Sequence, residues 1–212
     1  VNGSPADCAN LGIHSLFATP PRLVVCGVNL GTNAGLAFLL SSGTVAAAIE
    51  AALAGVPAAA FSAALDAADY GQWRRQRTLS ARAHEQLRTS AKIAGQIVAE
   101  LLRGGLPGDA SLLSVNLPLG VRLDSPRCLA RLTVTDYGPF FARDAQGRFA
   151  HRYHGLRTRV PAPDGDLEVL ARGAVALTPV RLSLDASVGP HDRRRVETPT
   201  DRHPRGPGGN HG

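Results

Sequence analysis

A chain of 212 residues, 44% of them hydrophobic, is long enough to bury a sizeable core and short enough for one domain with an appendage. No apolar run reaches the roughly eighteen residues of a membrane span, and the N-terminus lacks the basic and apolar regions of a signal peptide, so a soluble, cytoplasmic protein is expected. The net charge of +6 invites a nucleic-acid reading, but 22 of the 23 basic residues are Arg, Ala is abundant and Met absent, which marks a compositional bias, so neither nucleic acid nor membrane is expected as a partner.

In chain order, "RLVVCGV" (22–28) is a short apolar, β-branched run between Pro20-Pro21 and a Gly-rich turn, the pattern of a strand buried on both faces. A helix is predicted from Ser42 or Thr44 through "VAAAIEAALA", ended by Gly55 and Pro57, and "VPAAAFS" (56–62) reads as the next buried strand. Strand, turn, helix and strand then form a parallel crossover unit. Trp73, Arg74, Arg75 and Arg77 read as a charged loop after that strand, solvated surface in the first instance, and the best candidate outside the motifs to stack on a base and clamp a phosphate. From Ser80 to Arg103 the apolar residues Leu87, Ala91, Ala94, Val98 and Leu101 recur at helical spacing, and Gly104-Gly105 closes the segment. "SLLSVNLP" (111–118) is a third buried strand; "LARLTVTDY" (129–137) and "AVALTPVRLSL" (174–184) alternate and suit edge or antiparallel strands. Residues 138–172 carry few signals, and 190–212, rich in Arg, Pro and Gly, read as a disordered tail.

Ligands of open α/β sheets collect where strand carboxyl ends meet helix N-termini. "VVCGVNLGTNAG" (24–35) ends a buried run in Asn29, Gly31 and Asn33, where glycine lets the backbone approach a bound group and a carboxamide offers a neutral oxygen to a hard cation. Ser42, Gly43 and Thr44 follow at a helix head, a ready anion site. Turn and cap chemistry would account for each taken singly. The odd, widely spaced Cys8, Cys26 and Cys128 match neither a disulfide framework nor a zinc knuckle, and His151 and His154 lack a nearby third ligand.

"GSPADC" (3–8), "LVVCGVNLGTNAG" (23–35), "SSGTVAAAIEAALAGVPAAAFS" (41–62), "SVNLP" (114–118) and "VALTP" (175–179) together resemble, in order and spacing, the SurE family of metal-dependent nucleotidases. That family shows G-T-P-x-D-C, S-G-I-N-x-G-x-N-x-G, Y-S-G-T-V-x-A-A-x-E-G and N-V-N-x-P. The resemblance implies an α/β, three-layer, Rossmann-like sandwich with a mainly parallel sheet and a β-rich C-terminal extension. It would span residues 1–189, ahead of the tail at 190–212.

The resemblance also implies a divalent-metal-dependent phosphomonoesterase of the 5′-nucleotidase or acid-phosphatase type, acting on nucleoside monophosphates with Mn or Mg. Asn29 would ligate the metal. Ser42, Gly43 and Thr44 would bind the substrate phosphate, Asn29 and Ser42 being the catalytic candidates, and Gly31 and Asn33 would shape the pocket. A homo-oligomer, dimer or tetramer, exchanging β elements from 129–185 is implied as well. The family's opening strand, ending in N-D-D-G with the paired metal-binding aspartates, is not among these 212 residues. The expectation is therefore a domain without its first strands and an impaired enzyme, or alternatively a non-catalytic relic or partner-binding module. Cys26 stands where the family pattern has Ser, and Ser41 where it has Tyr. Asp7 is expected to fix the turn ahead of a helix rather than to replace a missing aspartate.

Overall fold

The apolar runs become neighbouring strands of one sheet, but the first of them, expected to be buried on both faces, stands at the edge of the sheet among the described residues, with Cys26 alone buried. In the computed structural model, which describes residues 2–197, strands β1 (Val24–Leu30), β2 (Ala58–Ala63) and β3 (Leu112–Leu117) lie side by side and parallel. β2 and β3 are buried along their whole length, so their sequences run apolar instead of alternating, interrupted by Ser62, Ser114 and Asn116.

The connections cover both faces. Between β1 and β2 come α2 (Leu36–Ser41) and α3 (Gly43–Leu53); between β2 and β3 come α4 (Ala67–Gln76) and α5 (Ala81–Gly104). Alternate residues of β2 point to opposite layers: Ala58 and Ala60 pack with Val45, Ala48 and Ala51 of α3, whereas Ala59, Phe61 and Ala63 pack with Ile93, Ala94 and Ile97 of α5. The small side chains of β2 and α3 let helix and sheet approach closely, and Phe61 fills the opposite layer. The expected helix starts hold: Ser42 Oγ accepts from Val45 N at 3.2 Å and Ser80 Oγ from Ala83 N at 3.1 Å.

α1 (Pro5–Leu11) precedes the sheet and runs into a π-helical turn at Gly12–Leu16. Asp7 plays the structural part expected of it. Its carboxylate accepts from Ser4 N at 2.7 Å and from Ser4 Oγ at 2.8 Å, while its own N–H donates back to Ser4 Oγ. This reciprocal cap, the Ser4 backbone N–H above all, holds the Asp7 carboxyl below the usual carboxylate range.

Beyond β3 the sequence reading needs revision. β9 (Val175–Val180) is antiparallel to β3, as its alternation predicted, but it is interior, because β4 (Arg127–Leu129) pairs outside it. The strand expected over 129–137 is two short pieces, β4 and β5 (Thr135–Asp136), since Thr133 between them turns its N–H to the Asp166 carboxylate. The polar stretch contains the hairpin β6 (Phe141–Arg143) and β7 (Phe149–His151), then β8 (Arg157–Thr158) paired with β5, and α6 (Asp166–Ala171).

The segment holding Trp73, Arg74 and Arg75 is a helix rather than a loop. α4 is started by Asp66, whose Oδ1 accepts from Asp69 N at 2.8 Å, and is closed by Arg77 in left-handed backbone. Part of the stretch read as a disordered tail also forms a helix, α7 (Pro190–Val196), within a separate unit that starts at Ser183; residues 198–212 of that stretch lie outside the described residues. Among the described residues no helix is long and apolar enough to cross a membrane.

Candidate functional site

The candidate site begins where β1 comes so close to β2 that a side chain is forbidden. Gly27 has φ +112°, and a Cβ on it would lie 2.3 Å from Phe61 O. The pairing slips here, from Cys26 opposite Ala60 to Asn29 opposite Ser62, so the last residues of β1 are re-aimed at the end of the sheet.

Two asparagines expected in one pocket have separate duties. Asn29 is half-buried; its amide donates to Gly31 O at 3.1 Å, and its Oδ1 has no hydrogen bond among the described residues. Asn33 is buried at 7% exposure, with its side-chain amide donating to Ser62 Oγ at 2.7 Å and its backbone N–H to Asn116 Oδ1 at 2.8 Å. Thr32 Oγ1 donates to the same Asn116 oxygen. Asn33 therefore shapes the loop from within the protein. Neither asparagine adopts left-handed backbone, and the local turn contact is the Asn29 amide reaching the Gly31 carbonyl two residues on.

Ser42, Gly43 and Thr44 open α3. The Ser42 hydroxyl is engaged as the helix cap, while the N–H groups of Gly43 and Thr44 belong to the first turn, which has no intrahelical acceptor. Thr44 lines an open cavity of about 500 Å³ together with Gly3, Pro5, Cys8, Cys26 and Gly27. The fold thus brings the head of α3 to β1 at Gly27. Asn29 lies two residues further along β1 and is not part of that lining, and Gly31 faces α4.

Other candidates fall into place as structure. Burial pushes the Cys26 thiol up to about 11, so it stays protonated and is no nucleophile at neutral pH. His151 packs edge-on against Phe140 with centroids 4.0 Å apart, and among the described residues no three His, Cys, Asp or Glu side chains gather as a metal site. Asn29 Oδ1 alone is a single neutral donor, whereas a hard divalent cation takes about six oxygens, carboxylates among them. The donor set among the described residues does not fit a complete Mn or Mg site.

Three residues that sequence reasoning passed over hold this region together. Ser62 and Asn116 were legible as polar residues inside apolar strands, and both serve the Asn33 loop. Asp166 gave no local signal. It is 1% exposed and accepts from Gly35 N at 2.8 Å, Leu167 N at 2.9 Å and Thr133 N at 3.1 Å. A buried carboxylate with three backbone donors is a satisfied one, and it ties the loop after Asn33 to the far end of the chain.

Comparison with known proteins agrees with this architecture. The family model described as "Survival protein SurE" matches residues 1–139. The chain is 33% identical over 192 residues to a protein named 5′-nucleotidase SurE from Methanocella arvoryzae, covering 88% of this chain and 69% of that protein. A namesake from Geobacter sulfurreducens is 36% identical over 189 residues, covering 87% of this chain and 65% of that one. The crystal structure of the SurE protein from Aquifex aeolicus superposes with a TM-score of 0.64 at 27% identity, over 87% of this chain and 69% of that one. The chain therefore spans about two thirds of the length of these relatives.

Proposed function

The chain belongs to the SurE family, and from that premise we propose that it takes the phosphate of a nucleoside monophosphate at the head of α3 and acts as a 5′-nucleotidase-type phosphomonoesterase. The observation that carries this reading is that Thr44, in the first turn of α3, lines the cavity beside Gly27, in a turn whose leading N–H groups have no intrahelical acceptor. A phosphate there would accept from the backbone N–H groups and meet the positive end of the α3 dipole. The relatives' names supply the reaction class.

Cys26, which remains protonated, and Ser42, whose Oγ caps α3, are not ready nucleophiles, and the reading assigns that part to no side chain. Hydrolysis in this reading is therefore attack by water. Metal dependence is part of the proposal, with Asn29 Oδ1 as the oxygen this chain lends to Mn or Mg. Because no three His, Cys, Asp or Glu side chains gather as a metal site among the described residues, turnover in this reading is low, while phosphate binding at the helix head does not depend on them. Assembly into a homo-oligomer completes the proposal, with residues 129–185 as the segment to probe.

The test is phosphate release from 5′-AMP by the 212-residue chain with Mn²⁺, with and without chelator. Slow, chelator-sensitive release that disappears in Asn29→Ala is expected; release indifferent to both would overturn the assignment of Asn29. The incomplete donor set also favours a second reading, a non-catalytic partner-binding module. Absence of both turnover and AMP binding in a chain shown to be folded would select it.

A further inference from the structure

Tyr70 and Trp73 stand three residues apart on α4, the helix that leaves the carboxyl end of β2, the end at which Asn29 and Gly31 also lie. Their rings are 6.0 Å apart between centroids and inclined by 36°. Tyr70 is 40% exposed, and its Cε2 is 3.7 Å from the position a Cβ would take on Gly31, so the ring lies against that turn with no side chain between. The Gly31 carbonyl in turn holds the Asn29 amide. Arg77 places its guanidinium 4.8 Å from the Trp73 centroid.

Packing does not explain the pair. Neither ring belongs to any of the hydrophobic clusters of the core, and three-residue spacing alone would staple the helix as well with aliphatic side chains. Among the described residues Arg74, Arg75 and Arg77 form no ion pair with a carboxylate. The result is an exposed aromatic face, backed by a second ring and flanked by free cations, at the rim of the asparagine loop. A planar heteroaromatic ring stacks on such a surface whatever its hydrogen-bonding edge, and an anionic ester is drawn to the adjacent cations.

We propose that Tyr70, backed by Trp73, is the nucleobase platform of this site and sets its preference for nucleotides over simple sugar phosphates. The proposal rests on the phosphate-binding reading above, yet the two fail separately. Trp73 is the single tryptophan of the chain, so its fluorescence reports on the platform without any turnover.

The experiment titrates the 212-residue chain with 5′-AMP, adenosine and ribose 5-phosphate, following Trp73 emission with excitation at the red edge of its band, and binding heat in parallel. AMP and adenosine should quench Trp73 saturably, and ribose 5-phosphate should bind without quenching. Tyr70→Ala should weaken AMP about tenfold, the scale of one lost base stack, and leave ribose 5-phosphate unchanged, with Tyr70→Phe restoring AMP. Equal affinity for AMP and ribose 5-phosphate with silent Trp73 would overturn the platform and leave phosphate binding standing. Quenching by adenosine without any binding of ribose 5-phosphate would support the platform and remove the phosphate reading. No binding by any of the three would overturn both.

Discussion

The half of the molecule from β1 to β3 and the segment from β4 to β9 are built by different means. In the first, local chemistry does most of it: continuous apolar runs make the strands, and side-chain caps at Ser42, Asp66 and Ser80 start α3, α4 and α5, while α2 has no such cap. In the second, β4, β5 and β8, of two or three residues each, pair with partners remote in sequence, and the hairpin β6–β7 alone pairs locally. Gly35 N reaches the Asp166 carboxylate, Leu36 N the Thr133 carbonyl at 2.9 Å, and Ala37 N the Thr135 hydroxyl at 3.1 Å. The first half forms the strand ends and helix head of the candidate site, and the second clamps the loop between them.

Three substitutions would break or sharpen that contrast. The largest effect belongs to Phe61→Ala, which empties the layer between β2 and α5; urea unfolding should show a loss of about 3–5 kcal/mol with one cooperative transition. A loss below about 1 kcal/mol would contradict the claim that this ring fills the layer. Asp166→Asn comes next, because an amide nitrogen would replace one acceptor facing backbone donors, at a cost of about 1–3 kcal/mol. Its signature is regional. Amide exchange should quicken at Gly35, Thr133 and Leu167 while β2 and β3 keep their protection, and uniform quickening would erase the distinction between the two halves.

The smallest effect lies at Asp136, where hydrogen bonds from Arg157 above all, then from Gly138 N and Arg159, hold the carboxyl below its usual range. A depressed carboxyl pKa contributes stability above the unfolded carboxylate pKa and loses it as pH falls through the lower folded value. Near-ultraviolet circular dichroism of neighbouring Tyr137 should therefore change only on the acid limb, and Asp136→Asn should flatten that limb. The pairs are half-exposed, so salt should weaken the effect.

This contrast also explains what was legible in advance. Periodicity and caps identified β1, α3, β2, α5 and β3, because apolar runs and helix initiation each leave a mark within a few residues; burial on both faces holds for β2 and β3 and not for β1, which lies at the sheet edge. The sequence of α4 looks like a loop because Arg74, Arg75 and Gln76 hide an apolar pattern that is weak in any case; its local helix signal is Asp66, which caps Asp69 N. β4, β5 and β8 were not legible, since their pairing depends on partners remote in the chain. In the site, the ordered motifs pointed to Asn29, Asn33 and Ser42 to Thr44, of which Thr44 lines the cavity beside Gly27 and Asn33 is held inside the protein. The division of labour between Asn29 and Asn33 was invisible, because it turns on Ser62 and Asn116, strands away.

The central claim is that the first turn of α3 receives the phosphate. Backbone amide shifts in a ¹⁵N-resolved NMR titration of the chain with inorganic phosphate and then 5′-AMP test it most directly. The account predicts saturable shifts led by the Gly43 and Thr44 amides, extending to Asn29 and Gly31. Shifts spread over exposed arginine surfaces, with Gly43 and Thr44 unmoved, would contradict it.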